Sequence, residues 1–371
     1  MKSKTKIISV VLFLSAFILL VSCEKQKAEW KGAIEEEDGV TVVKNPNEPI
    51  YGEDVFSLEE ELTIGEAQGG EEYMFSRLRN IVVDDEERIY ALDFREAHIK
   101  VFDKNGDYIR TIGRKGLGPG ELSWPVRIFY TPQKEIMVEN VMNRRLIFYS
   151  LEGNYIKSIS TVKLFLLGST IDSKGNIIGL LRNDKNEIYE LAKVNPDLNY
   201  LQTFDSSPYP DPQAFNPFYP IIKWVIAKDD SIIYGYPEKY EFKIISPEGK
   251  VLRKIMKEYN PVEITEKEKE NGVKGYTQSL KFAFPKYHSA YQSFSLDEEG
   301  RIFVQTWERT ENEEGNFYDV FNSEGKYIAK IFIKFSPQVW KGNKLYTIEE
   351  DKDGLQIIKR YKVNWNIQSS R

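Results

Sequence analysis

The chain has 371 residues, 41% of them hydrophobic and 13% aromatic, with 51 Lys and Arg against 57 Asp and Glu. That is ample material for a core, so disorder as the main state is excluded, and the formal charge of −6 excludes a nucleic-acid binder, which concentrates basic charge. A single cysteine excludes a disulfide framework or a thiolate zinc cluster, and two histidines, His98 and His288, exclude any site built from three imidazoles of one chain.

At the N-terminus Lys2, Lys4 and Lys6 form a positive region, and no acidic residue precedes Glu24. The apolar run from Ile7 to Val21 is shorter than the ~20 residues a permanent spanning helix needs, the pattern of a secretory signal. It ends in Leu20-Val21-Ser22-Cys23, which resembles a bacterial lipobox. The resemblance implies cleavage after residue 22, a diacylglyceryl thioether on Cys23 and acylation of the new amino group, with two or three chains giving stable anchoring. The expected address is therefore the bacterial cell envelope, and Glu24 at the following position leans it towards the outer membrane. Residues 23–54 are polar and rich in breakers, and are expected to form a flexible tether.

Beyond the tether a short unit repeats: an apolar strand, an acidic or Gly-containing turn, then Ile or Leu opening a second apolar strand. The marked positions are Ile89, Ile136, Ile177, Ile232, Ile302 and Leu345, most of them 41 to 55 residues apart, with one interval of 70. Such periods belong to blade-type repeats. A second hairpin follows, with turns such as Asp103-Lys104-Asn105-Gly106-Asp107 and Asn322-Ser323-Glu324-Gly325-Lys326, where Gly supplies the positive φ of a tight turn. Each repeat thus reads as four antiparallel strands. The sixth repeat lacks its outer strand, and an orphan strand over Leu58 to Gly65 is expected to supply it. The chain is accordingly expected to be all-β, a six-bladed β-propeller whose N-terminal strand completes the last blade and removes exposed edges.

The segment Ile112-Gly113-Arg114-Lys115-Gly116-Leu117-Gly118-Pro119-Gly120-Glu121-Leu122, followed by Trp124-Pro125, resembles the inter-blade connection of six-bladed propellers of the NHL-repeat-like (TolB-like) group. Over 55–365 the chain resembles the secreted lipoproteins of that group, with a C-terminal tail at 366–371.

Two motifs resolve into ordinary turns. Gly113 to Gly120 contains Pro119 and is followed by Trp124, Pro125 and a strand rather than the helix a phosphate loop requires. Asp103 to Asp107 opens like a calcium loop, but the twelfth position is Arg114 instead of a bidentate acid. The insertion at 259–290 is expected to be partly helical, with Thr265 as N-cap and Glu268 three residues on. It is a candidate lid over the channel mouth. The proline-rich loop Ser206 to Pro220 is a candidate rim contact.

In a propeller the innermost strands line a channel, and loops at one end form the usual binding face. Candidate ligand-binding residues at strand ends are Arg79, Arg95, Arg127, Arg182, Tyr287, His288 and Trp307, with Asn143 and Lys223 beside them. Arginines and aromatics suit an anionic or sugar-like ligand, through charge-assisted bonds and stacking. No cofactor, metal or catalytic residue is expected. The leading expectation is a membrane-anchored envelope lipoprotein whose propeller binds a protein, small molecule or glycan. Two alternatives are a metal-dependent lactonase-like hydrolase with its site in the channel, and an accessory protein for carbohydrate or peptide uptake. The lyases that share six blades use several metal-binding histidines, which two histidines cannot supply.

Overall fold

The computed structural model describes residues 29–65, 70–211, 214–276, 281–310 and 314–366. The signal at 1–22, Cys23 and the tail beyond Asn366 lie outside the described residues. The chain opens with strands β1 (Ala33–Glu37), β2 (Val40–Asn45) and β3 (Phe56–Ile64). Blade one is β4 (Leu78–Val83), β5 (Ile89–Asp93), β6 (His98–Phe102) and β7 (Tyr108–Ile112). Blade two is β8 (Pro125–Tyr130), β9 (Ile136–Asn140), β10 (Arg145–Tyr149) and β11 (Tyr155–Ser160). Blade three is β12 (Leu166–Ile171), β13 (Ile177–Asn183), β14 (Ile188–Val194) and β15 (Tyr200–Pro208). Blade four holds β16 (Lys223–Ile226), β17 (Ile232–Gly235), β18 (Glu241–Ile245) and β19 (Val251–Lys257), followed by the helix α1 (Glu266–Val273). Blade five is β20 (Ser293–Leu296), β21 (Ile302–Gln305), β22 (Asn316–Phe321) and β23 (Tyr327–Ile333). Blade six is β24 (Ser336–Lys341), β25 (Lys344–Glu350) and β26 (Gln356–Trp365), completed by β3.

The acidic turns have one physical cause. The Oδ1 of Asp84 accepts the backbone N–H groups of Glu86 and Arg88, and Asp103, Asp172, Asp297 and Asp351 each accept from the same two relative positions. An Asp there satisfies two turn amides while Gly106, Gly175, Gly300 and Gly354 take positive φ. Middle strands such as β5 and β9 are buried along their whole length, because a blade packs against a neighbour on each face. The core is consequently divided among the blade interfaces: Tyr90, Leu92 and Val101 of blade one meet Ile128, Val138 and Tyr149 of blade two.

Closure is as expected: β3 pairs antiparallel with β26, from Phe56 opposite Trp365 to Ile64 opposite Ile358. The expected tether is a different matter. From Ala33 to Asn45 it is a hairpin whose second strand runs parallel to β19, so that blade four has six strands rather than four. Val42 and Val43 are fully buried there, which is why the segment folds onto the disc instead of remaining solvated. The chain then crosses the outer edge of blade five, where the amides of Ile50 and Tyr51 donate to the carbonyls of Tyr327 and Ile328. Residues 33–64 thus strap blades four, five and six.

Blade four is also joined to blade five by a buried ion pair. Lys257 Nζ lies 3.3 Å from Asp319 Oδ2, and both side chains are fully buried. Tyr240 and Tyr327 donate to the two Asp319 oxygens at 2.6 and 2.7 Å. Both tyrosine rings also face the Lys257 ammonium, at 5.0 and 4.7 Å.

Candidate functional site

Four of the six inner strands carry a β-bulge near their first residues. Pairing skips Arg79 on β4, Val126 on β8, Gly168 on β12 and Gln338 on β24. The inner strands of blades four and five, β16 and β20, pair with their neighbours without a shift. A bulge bends its strand and re-aims the extra residue, and all four bulged residues line one cavity of about 560 Å³. The cavity therefore opens where blades six, one, two and three meet at the starts of their inner strands, on the face carrying the links between blades.

Four arginines line it: Arg79 on β4, Arg127 on β8, Arg144 in the β9–β10 turn and Arg145 at the start of β10. None makes an ion pair among the described residues. The backbone of Gly168, at φ +69, makes room for one of them, since a Cβ there would stand 3.3 Å from Arg127 Nη1. Beneath them sits Glu139, buried, and directly opposite Arg127 in the β8–β9 register. Burial pushes the Glu139 carboxyl above the usual glutamate value, opposed by the Arg127 charge and the Gly168 amide. The loops are pinned by buried polar side chains. Asp93 accepts the amides of Ser76, Arg77, Arg95 and Glu96, and Asn140 accepts that of Ser123 and donates to Asn143 Oδ1. Exposed Phe165 forms one lip of the cavity, with the guanidinium groups of Arg144 and Arg182 each 5.8 Å from its ring centroid. Trp124, Val141 and Met142 are exposed on the same loops.

Of the residues singled out in the sequence, Arg79 and Arg127 converge in this cavity, and Arg182 stands at its lip in a 2.6 Å ion pair with Asp184. Arg95 is exposed in the β5–β6 turn and does not line the cavity. Lys223 begins β16, where burial lowers its pKa. His288 and Trp307 belong to a separate cluster. Their rings stack at 3.9 Å, and His288 Nε2 lies 3.1 Å from both Glu268 Oε1 and Arg309 Nη2. Tyr287, beside them, is exposed with the Lys286 ammonium 4.8 Å from its ring.

Glu268 also closes the capping box of α1 with Thr265, so one carboxylate both starts the helix and fastens it to blade five. The two loops meet in an aromatic group in which Phe215 touches Tyr276 and Phe282, and Phe218 touches Phe284 and His288. Neither loop lines the 560 Å³ cavity. Sequence reasoning missed Arg144, Arg145 and Glu139. The available signal was a consecutive basic pair directly after Asn143, in the blade that also supplies Arg127.

Among the described residues, no group of three or more His, Cys, Asp or Glu is placed to hold a metal ion. No helix of the described residues is long and apolar enough to cross a membrane.

A family model described as a 6-bladed beta-propeller (DUF5128) matches residues 68–204. No curated protein matches the chain. Among solved structures, a putative exported protein from Bacteroides fragilis is similar at 10% identity and a TM-score of 0.58, covering 88% of this chain and all of its own. A member of the DUF4221 family from Bacteroides vulgatus is similar at 12% identity and a TM-score of 0.50, covering 84% of this chain and 99% of its own. A streptogramin B lyase matches at 14% identity and a TM-score of 0.43, over 84% of this chain and 98% of its own. These likenesses are of fold.

Proposed function

We propose that the protein is a lipid-anchored binding protein of the bacterial cell envelope, whose propeller takes an anionic ligand into the cavity at the mouth of its channel. One observation carries the reading: four arginines from two adjacent blades line a single cavity with one buried carboxylate, Glu139, and among the described residues none of the four lies within ion-pair distance of a carboxylate. Four like charges facing a single buried carboxylate cost stability, and a bound anion relieves that cost. The exposed ring of Phe165 and the polar Asn80, Asn140 and Gln338 suit a ligand with a ring face and hydroxyls, such as an acidic sugar. Support for the anchor comes from the lipobox-like Leu20 to Cys23 and from the likeness to an exported protein.

The test is a thermal-shift and calorimetric panel on the full chain in detergent, comparing uronates and sugar phosphates with their neutral parents at fixed ionic strength. Anions are expected to bind and neutral sugars not. Arg127→Ala or Arg144→Ala is expected to weaken binding about 10- to 150-fold, the worth of one charge-assisted bond at about 1.5–3 kcal/mol. Equal binding of the neutral parents, or no loss in either variant, would overturn the reading.

A further inference from the structure

The N-terminal segment sets where the disc can stand relative to a bilayer. Trp30 is seated on the body: its Nε1 donates to Asn45 Oδ1 at 3.0 Å, and the Lys326 ammonium lies 5.4 Å from its ring centroid. It packs against the core shared by blades four and five, alongside Val43, Ile255 and Tyr327. Three residues later β1 begins, and β2 is hydrogen-bonded to β19 from Thr41 to Asn45. The folded body thus starts at Trp30, on the outer rim at the seam between blades four and five. Only residues 24–29 separate that point from Cys23. Fully extended, six residues reach about 20 Å, whereas a free stretch to residue 54 would reach about 100 Å.

The exit point also has a definite relation to the cavity. In the ring, the cavity is centred on the seam of blades one and two and bounded by blades six and three. The seam of blades four and five is diametrically opposite. Resting on the lipid-anchor reading of Cys23, we infer that the rim at the seam of blades four and five is the membrane-facing edge, and that the basic cavity is carried on the side away from the lipid. The partner of that rim is a lipid surface held near by its acyl leash rather than by charge. The rim carries both signs, with Lys31, Lys44 and Lys326 near the exit and Glu35, Glu36, Glu37 and Asp38 at the hairpin tip.

The experiment uses the acylated full chain in phosphatidylcholine vesicles. Acylation consumes the only cysteine, so an introduced cysteine is the sole free thiol. Glu324 and Glu152 occupy equivalent exposed turns, the first at the seam of blades four and five and the second at that of blades one and two. Glu324→Cys and Glu152→Cys are each labelled with a donor dye, and energy transfer to an acceptor on the lipid headgroups is read. Transfer from position 324 is expected to be about two-fold or more above that from 152, given a leash of ~20 Å. A Gly/Ser insertion of about 20 residues between Ala28 and Glu29 is expected to bring the two together.

Equal transfer from both positions without the insertion would overturn the inference. A separate arm measures the mass of the mature chain and of its N-terminal proteolytic peptide. A mature chain with no acyl mass on Cys23 removes the anchor reading itself. Acylation combined with equal transfer removes only the orientation.

Discussion

The strap makes its strongest claim at Asn45. This side chain is 3% exposed and uses all four of its hydrogen-bonding sites, accepting from Trp30 Nε1 and the Tyr327 amide and donating to the carbonyls of Met256 and Gly325. It therefore ties the hairpin to blade four and to blade five at once. In Asn45→Ala the Tyr327 amide at 2.7 Å and the Gly325 carbonyl at 2.9 Å lose their partner inside the protein. Leaving two buried groups unsatisfied costs about 1–3 kcal/mol each, so about 2–6 kcal/mol in all. With an unfolding entropy of about 2.1 cal/mol/K per residue, a body of roughly 340 residues loses about 3–8 °C in Tm. The assay is calorimetry of the full chain, with amide exchange followed over residues 33–45. Asn45→Ala is expected to lower Tm and to deprotect Val42 and Val43. An unchanged Tm together with unchanged exchange would show that the hairpin merely rests on blade four, and the short leash would go with it.

Four further outcomes follow from buried charge. Because burial raises the Glu139 pKa above its ordinary 4.5, its negative charge is lost as pH falls through that raised value. Anion affinity is then expected to climb towards acid in the wild type and to stay flat in Glu139→Gln, the facing charges being Arg79, Arg127, Arg144 and Arg145; parallel titration curves for the two would remove Glu139 from the site. By the same linkage Glu139 contributes stability below its unfolded pKa that is lost as pH rises, so Glu139→Gln is expected to be the more stable at neutral pH. Asp319→Ala leaves Lys257 buried without its counter-ion and is expected to cost about 3–5 kcal/mol in denaturant unfolding; a wild-type midpoint for Asp319→Ala would mean that water already reaches the pair. Burial depresses the His288 pKa, so its contribution is present above the ordinary 6.5 and lost as pH falls through the lower folded value. Amide exchange across Glu266–Val273 is expected to speed up below that window, and an equal rate at neutral and acid pH would leave His288 no part in holding α1.

How much of this was legible beforehand depended on whether the governing interaction is local in sequence. The Asp and Gly turns, the hairpins they join and the Thr265–Glu268 capping box are set by residues within five positions, and each was readable. The closing strand was readable because a propeller repeat with a missing strand implies where that strand must be. The β1–β2 hairpin was not. Glu35, Glu36, Glu37 and Asp38 lie on the outermost edge with both faces in water, so no alternation marks them, and a charged edge looks like a linker. The bulges at Arg79, Val126, Gly168 and Gln338 were invisible for a different reason. A bulge is a property of the register between two strands, and its residue type is unconstrained, as Arg, Val, Gly and Gln at equivalent places demonstrate. Candidate arginines could be picked one blade at a time, but their meeting in one cavity, and the presence of Glu139 beneath them, required the register.

The two halves of the ring divide the work along the same line. Blades four and five hold the unbulged inner strands, the hairpin, the Lys257–Asp319 pair and the docked insertion, all of which add contacts across a single seam. Blades six, one, two and three hold the bulges and the cavity arginines, and no described residue of 259–290 lines that cavity. The candidate lid in the insertion is fastened elsewhere: Glu268 of α1 makes a 2.6 Å ion pair with Arg309 and lies 3.1 Å from His288, on the opposite side of the disc. Opening and closing of that helix therefore does not gate the arginines. Phe165 lines the cavity and is exposed beside the Arg144 guanidinium, so on the proposed anion-binding reading a ligand's ring would rest there with its charged group at the arginines. Selectivity at this site is then expected to depend on charge and ring face more than on overall size.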